Sequence, residues 1–300
     1  ASPDGYDEKR TQYGLGLDYL RGDTTMTVGF SNSEENDYEA QTLNFGISQD
    51  VFGGLTTISL GYGSGSDDVS RRGDAVFADQ VDRHAYRLGV TQVVTRNLVL
   101  ALAYEAVADE GYLNNPYRRV RYLDPGDPTA WLTQPEVYPR TRASNAVAIR
   151  GKYHLPFRAA VSGDYRYFRD DWGIEAHTVE AGYTQPFRDQ WLLEFKYRFY
   201  TQTAADFYSD LFPYENAQNY LARDKELSSF QSHGPHLGLS YTFLDRQGDR
   251  PLKSTVNLFY DYYLYSYDDF RDLRSTVDAG TEPLYDYDAS VIQFFVSLWF

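Results

Sequence analysis

Apolar and polar residues alternate along much of this chain, in segments of roughly 10 to 14 residues. The clearest segment places five apolar side chains at every second position: Trp191, Leu193, Phe195, Tyr197 and Phe199. Between them lie the charged residues Glu194, Lys196 and Arg198. A period of two is typical of a β-strand with two different faces. A soluble sandwich has to bury such an aromatic face against a second sheet, whereas a membrane barrel turns it toward lipid.

Thirteen segments of this kind follow one another. They span residues 10–20, 24–33, 38–49, 54–65, 80–93, 97–108, 142–154, 157–168, 174–186, 190–202, 232–244, 252–266 and 288–300. Short connections alternate with long ones, and the longest cover 66–79, 109–141, 203–231 and 267–287. Outer-membrane barrels combine short periplasmic turns with long outside loops in this way. The pattern predicts an all-β fold class: a transmembrane antiparallel up-and-down β-barrel in a single domain over residues 1–300.

The last predicted strand sets the direction of the others. It carries apolar residues at alternate positions up to the carboxylate: Ile292, Phe294, Val296, Leu298 and Phe300. This run resembles the signal that the barrel-assembly machinery of Gram-negative bacteria recognises. We therefore expect that machinery as a partner, with outer-membrane lipid and lipopolysaccharide around the barrel, and localisation to the outer membrane.

Thirteen is an unusual strand number, because bacterial single-chain barrels normally have an even count. Counting back from a periplasmic Phe300 places Ala1 on the outside. We therefore expect that one or more strands precede Ala1, which would make about 14 to 16 strands in all.

Composition excludes several other classes of protein. The chain has 28 Tyr and 18 Phe but no Cys, so a disulfide framework and thiol-ligated metals are excluded. It has no run of 18 apolar residues, which excludes a transmembrane helix. The net charge of −15 argues against nucleic acid as a partner, since a phosphate backbone needs a basic surface.

Two stretches near the start resemble a known family. Ala1-Ser2-Pro3-Asp4-Gly5 followed by Asp7-Glu8-Lys9-Arg10, and then Ser33-Glu34-Glu35-Asn36-Asp37-Tyr38, are similar to motifs of a bacterial outer-membrane β-barrel family catalogued only as a domain of unknown function. The second stretch has one residue more than the family's Ser-x-Glu-x-Asp-Tyr. The resemblance implies a porin-like barrel of some sixteen strands, about three of them ahead of Ala1. The family's genes lie near thioredoxin-like and flavin-transferase genes, which implies a redox partner. It implies no functional residue.

The candidate site is the wall formed by the segments from 142 to 202. The alternation turns a set of charged residues toward the lumen: Arg142, Arg150, Lys152, Arg158, Asp164, Arg166, Glu180, Glu194, Lys196 and Arg198. Bases outnumber acids in this set, and charged walls of a narrow pore select ions. The alternative is structural, because an interior ladder of ion pairs also packs a small barrel or holds a plug.

Other chemistry in the sequence is weak. The acidic runs around Asp67-Asp68 and Asp268 to Asp288 lack the spacing of a calcium loop, and they are interpreted as solvated outside loops. His233 and His236 are three residues apart and do not share a strand face, so we expect no metal and no cofactor. No nucleophile and histidine pair stands out, so no catalytic residue is assigned.

The sequence therefore predicts a porin-like diffusion channel with a positively biased lumen wall. The alternative is a non-conducting scaffold or conduit that holds a periplasmic, lipoprotein or redox partner. An outer-membrane hydrolase is a further alternative. Whether loop 109–141 folds inward as a constriction or outward as a docking surface stays open.

Overall fold

A computed structural model describes residues 9–246 and 252–299. Thirteen strands form one antiparallel sheet: β1 Thr11–Arg21, β2 Thr24–Glu34, β3 Tyr38–Val51, β4 Thr56–Arg71, β5 Asp74–Val93, β6 Leu98–Gly111, β9 Thr141–His154, β10 Ala160–Asp170, β11 Glu175–Phe187, β12 Trp191–Gln202, β13 Phe230–Arg246, β14 Leu252–Arg271 and β15 Leu284–Trp299. A separate hairpin, β7 Arg119–Asp124 and β8 Asp127–Pro135, and a short 3₁₀ turn, Lys225–Leu227, lie in the connections. Phe300 and the opening motif Ala1 to Glu8 lie outside the described residues.

Consecutive strands of the large sheet pair with each other, and β6 pairs with β9 across the intervening hairpin. The predicted all-β, up-and-down fold with thirteen visible strands is confirmed. Within the described ranges, β1 and β15 stand at the two ends of the strand order and do not pair with each other. No helix in the described part of the chain is long and apolar enough to cross a membrane.

Two of the predicted loops are shorter than expected, because strands extend into them. The loop predicted at 66–79 is wrong, because β4 continues to Arg71 and β5 begins at Asp74. Pairing persists through Ser66 and Asp82, although the side chains there are polar and no longer alternate with apolar ones. The 267–287 loop shrinks to 272–283 for the same reason. A transmembrane strand needs about 9 to 11 residues, so the 20-residue β5 and β14 project beyond the membrane.

The register of the sheet separates two faces. The apolar face carries residues such as Leu60, Leu102, Phe195 and Leu237, whose side chains are exposed in the chain as it stands. The charged face carries the polar residues at the intervening positions. An exposed apolar face of this extent is what lipid covers in a membrane barrel, and the opposite face lines the interior.

The three long connections 112–140, 203–229 and 272–283 pack together into what we call the loop cap. Isolated β-bridges join Tyr122 to Phe212 and Val137 to Leu221. Two buried apolar clusters hold the cap together: one joins Phe207 and Leu227 to Trp172 of the β10–β11 turn, and the other contains Phe212 and Leu221. Long outside loops are characteristic of the outer face of such barrels, and here they form one folded unit.

A buried ionic cluster locks the cap, and we call it the latch. Arg121 on β7 is 1% exposed and forms ion pairs with Asp210 and Glu282, one from each of the other two connections. Its Nε also donates to the backbone oxygen of Asp210 at 2.9 Å. Arg223 forms a further ion pair with Asp210 at 2.9 Å, and Arg271 donates to the backbone oxygen of Glu282. A single guanidinium thus ties all three connections together.

Candidate functional site: a charged cavity on the inner face

Four of the predicted charged residues form one row across the charged face. Arg150 on β9 lies directly opposite Asp164 on β10, which lies opposite Glu180 on β11, which in turn lies opposite Arg198 on β12. Hydrogen-bonded strands are about 4.8 Å apart, so the row spans on the order of 14 Å. The alternation of the sequence therefore brings these side chains together as predicted.

A cavity of about 600 Å³ opens above this row. Small side chains on the charged face, such as those of Ala101 and Ser162, leave the space, and long charged side chains surround it. Six of the predicted residues line it: Arg150, Lys152, Asp164, Arg166, Glu180 and Arg198. Four cationic groups thus face two anionic ones around the cavity.

Ion pairing removes part of this positive bias. Arg150 is paired with Asp164, and Lys196 is paired with Glu194 on its own strand. Arg166 approaches Glu105 of β6 to 4.0 Å, an acidic partner that sequence reasoning did not assign to the wall. Part of the wall therefore consists of ion pairs between neighbouring side chains, which is the structural alternative to an ion-selective wall.

Lys152 and Arg198 differ from these basic residues in their ion pairing. Within the described residues, neither has a carboxylate oxygen within 4.0 Å of a side-chain nitrogen. Arg198 instead lies over the ring of Tyr200, with 5.4 Å between the guanidinium carbon and the ring centroid. Both cationic groups are therefore outside ion pairs and available to a solute in the cavity, although Glu180 lies opposite Arg198 on the same wall.

Cationic side chains continue upward toward the loop cap. Arg166 lies 5.4 Å from the ring centroid of Phe168, and Arg142 lies 4.5 Å from that of Trp172. Arg142 also forms an ion pair with Asp170 at 2.6 Å. Arg142 therefore belongs to the junction between sheet and cap and does not line the cavity.

Arg158 does not lie on the wall, and its placement there was wrong. β10 begins at Ala160, and residues 155–159 form a turn in which the nitrogen of Leu155 donates to the oxygen of Ala159. Arg158 has a positive φ of 67° in that turn and forms an ion pair with Asp189 of the neighbouring turn at 3.3 Å. Extending the alternation one turn too far produced the error.

The remaining sequence candidates have structural partners. His233 and His236 lie on opposite faces, as predicted, and His236 Nδ1 is 2.7 Å from an oxygen of Asp261. The acidic residues of the predicted loops are also engaged: Asp67 accepts from Tyr38, and Asp79 is paired with Arg140 at 2.7 Å. Ile292, Phe294, Val296 and Leu298 are exposed on the apolar face of β15.

The latch was missed altogether. Arg121 sits in a six-residue strand, and its partners are 89 and 161 residues away along the chain. Burial raises the pKa of Glu136 beside the latch, whereas hydrogen bonds from Arg121 and from the Gly280 nitrogen outweigh burial and lower the pKa of Glu282. No periodicity or spacing in the sequence indicates these contacts.

Comparison with known proteins gives a family and a fold. The model of a family described as "Protein of unknown function (DUF3570)" matches residues 1–86 and 75–269. No curated protein matches the chain.

Among solved structures, the chain is similar to the siderophore receptor PirA from Acinetobacter baumannii, with 12% identity and a TM-score of 0.56 over 97% of this chain and 50% of that one. PirA from Pseudomonas aeruginosa is 11% identical, with a TM-score of 0.53 over 88% of this chain and 48% of that one. The alcaligin outer membrane receptor FauA from Bordetella pertussis is 13% identical, with a TM-score of 0.50 over 97% of this chain and 50% of that one. The chain thus spans about half the length of these structures, and the likeness establishes an outer-membrane β-barrel fold.

Proposed function

Since the chain belongs to the DUF3570 family and folds as a β-barrel of the Gram-negative outer membrane, we propose that it is a porin-like diffusion channel that favours anionic solutes. The observation that carries the proposal is the pair of cations without an acidic partner, Lys152 and Arg198, beside the cavity on the charged face. A charge in a narrow passage with low-dielectric walls raises the local concentration of counter-ions. The partners of such a channel are outer-membrane lipid, lipopolysaccharide and the barrel-assembly machinery.

Chemistry at the cavity favours small anions. A carboxylate or phosphate that approaches Arg198 can accept hydrogen bonds from its planar guanidinium group. Lys152 supplies a second positive charge on the same wall. Arg150 and Arg166 contribute less, because each already has a carboxylate oxygen within 4.0 Å of a side-chain nitrogen. Selectivity is therefore assigned to two of the predicted basic residues and not to the whole strip.

Planar-bilayer recordings test this proposal. The purified protein is expected to give stepwise conductance with a reversal potential displaced toward the anion equilibrium in a salt gradient. The double variant Lys152→Gln/Arg198→Gln is expected to lose most of this anion preference. Arg169→Gln is the matched control, because Arg169 lies on the apolar face and is paired with Glu175 at 3.6 Å. Unchanged selectivity in the double variant contradicts the assignment.

The second candidate is a non-conducting scaffold, and the position of the loop cap favours it. The Gln202 side chain, on the charged face of β12, donates to the backbone oxygens of Glu226 at 2.9 Å and Ser228 at 2.8 Å. The Lys225 ammonium lies 5.1 Å from the ring centroid of Tyr287 on the charged face of β15. Part of the cap is therefore folded against the inner wall. A scaffold gives no conductance and co-purifies with a periplasmic, lipoprotein or redox partner.

A further inference from the structure

A histidine and an aspartate face each other on the charged face of the sheet. His236 of β13 lies directly opposite Asp261 of β14, and its Nδ1 is 2.7 Å from a carboxylate oxygen of Asp261. Both side chains are 18% exposed. Among the described residues, no other side chain forms a hydrogen bond or an ion pair with Asp261. The pair is therefore partly open to the interior, and the carboxylate depends on this one contact.

The carboxylate fixes the tautomer of the imidazole. An ionised carboxylate accepts hydrogen bonds and donates none, so the ring nitrogen that faces Asp261, Nδ1, carries the hydrogen. Nε2 of the neutral ring then has a lone pair and is the atom that takes up a proton. Protonation at Nε2 gives His236 a full positive charge and turns its hydrogen bond with Asp261 into an ion pair.

The charges around the pair do not compensate Asp261. On β12, Lys196 lies directly opposite His236, but it is paired with Glu194, so these two charges cancel. The other nearest residues on the charged faces of β13 and β14 carry no charge at neutral pH: Gly234, Gly238, Phe259 and Tyr263. While the imidazole is neutral, the cluster therefore has a net negative charge, and one proton on His236 removes it.

The pair lies close to the cations to which anion preference is assigned. One row across the charged face runs through Lys152, Ser162, Gly182, Lys196, His236 and Asp261. Arg198 lies on the strand next to His236 and two residues nearer the cap, which places the two α-carbons about 8 Å apart. The Debye length is about 10 Å at 0.1 M salt, so a charge on His236 acts on the same anions as Arg198.

We propose that His236 and Asp261 make the anion preference of the channel depend on pH. With a neutral imidazole, Asp261 opposes Lys152 and Arg198 and lowers the preference. With a protonated imidazole, Asp261 is neutralised and the preference rises. Histidine is the side chain that ordinarily changes charge between pH 5 and 8. The inference rests on the proposed function, because it concerns the same solutes on the same wall.

Other groups that titrate in this range can be distinguished from His236. Three histidines bond a tyrosine hydroxyl on the apolar face, away from the lumen: His84, His177 and His233. His154 is the last residue of β9, beside the turn 155–159. Burial raises the pKa of Asp269, where β14 meets the cap, to about 6, so this carboxyl also loses its charge as pH falls. An effect of His154 or Asp269 persists when His236 is replaced.

Planar-bilayer recordings in neutral lipid at about 0.1 M salt, at pH 5 and pH 8, test the inference. In wild type, the permeability ratio of anion to cation is expected to be about twofold higher at pH 5, the effect of one charge about 8 Å away in water. His236→Gln is expected to lose this difference. His233→Gln is the matched control on the apolar face and is expected to retain it. Asp261→Asn removes the negative charge at every pH, so its ratio at pH 8 is expected to reach that of wild type at pH 5.

The possible failures are distinguishable. Absence of conductance at both pH values contradicts the proposed function, and the inference falls with it. Conductance with the same anion preference at pH 5 and pH 8 overturns the inference alone. A pH effect of full size in His236→Gln also overturns it, because another group is then responsible.

Two checks accompany the recordings. Each variant must show the heat-dependent gel shift of a folded barrel, and Asp261→Asn still tests the inference if His236→Gln does not fold. Raising the salt to about 1 M shortens the Debye length to about 3 Å, so most of the wild-type difference is expected to disappear. A difference that is unchanged at high salt contradicts an electrostatic origin and overturns the inference.

Discussion

Arg121 is the residue on which the cap depends most. It is 1% exposed and serves two carboxylates that are themselves nearly inaccessible. Removing one partner of a buried ion pair costs about 3–5 kcal/mol, because the other charge stays buried without compensation. Arg121→Met is therefore expected to open the cap locally while the sheet stays folded. Hydrogen exchange at Val120, Phe212 and Leu221 measures the opening, and it is expected to accelerate by at least about a hundredfold.

Arg119→Met is the matched control for this prediction. Arg119 lies two residues away on the same strand, but it is exposed, and among the described residues its side chain bonds only to Thr133. An exposed hydrogen bond of this kind contributes little, so exchange in the cap is expected to stay within a few-fold of wild type. Similar acceleration in both variants means that the hairpin, and not the buried charge, holds the cap.

Two glutamates give the cap a pH dependence of opposite sign. Burial raises the pKa of Glu136, so the folded cap takes up a proton before the opened one and gains stability as pH falls toward the ordinary glutamate value. The pKa of Glu282 is lowered, so below that ordinary value the opened cap takes up a proton first and stability falls. Protection of the cap from exchange is therefore expected to peak near pH 4 to 5, about the ordinary pKa of glutamate.

Glu282→Gln separates the two contributions. This substitution removes the loss of cap stability below the ordinary pKa of glutamate, although it also weakens the latch at every pH. Glu136→Gln is expected to remove the gain between neutral pH and the maximum. A monotonic rise of protection with pH in wild type contradicts the assignment of opposite signs.

At the scale of elements, the thirteen strands of the sheet could be predicted because lipid on one side and water on the other impose a period of two. That condition ends where a strand leaves the membrane. The upper parts of β4 and β5 still pair through Asp67 and Val81, yet both sides face water and the apolar alternation disappears. The sequence criterion therefore detects the membrane-crossing part of a strand and misses its extension.

The hairpin β7–β8 was missed for a related reason. Its apolar residues Val120 and Tyr122 are buried against other loops, in contacts with Phe212 and Leu221 that no local pattern reveals. The same limit applies to the candidate site. Alternation placed Arg150, Lys152 and Arg198 on one wall, but which of them lack an acidic partner depends on side-chain contacts across strands. The spacing of residues along a strand predicts which wall they face, but it does not predict which of them form ion pairs.

For the whole molecule, the central question is which face of the sheet meets lipid, because the proposed channel requires the charged face with its cavity to line the lumen. β15 offers a direct comparison. Phe294 is 68% exposed on the apolar face, and Gln293 is adjacent to it on the charged face. An arginine near the bilayer midplane costs about 2–4 kcal/mol on the lipid face of a barrel, whereas the lumen face tolerates it.

Phe294→Arg is therefore expected to lower the free energy of unfolding in lipid vesicles by about 2–4 kcal/mol, whereas Gln293→Arg is expected to change it little. Tryptophan fluorescence during urea unfolding measures both, since Trp299 and Trp191 lie in strands of the sheet. A larger loss for Gln293→Arg reverses the assignment of the faces. The cavity then faces lipid, and the proposed channel is excluded.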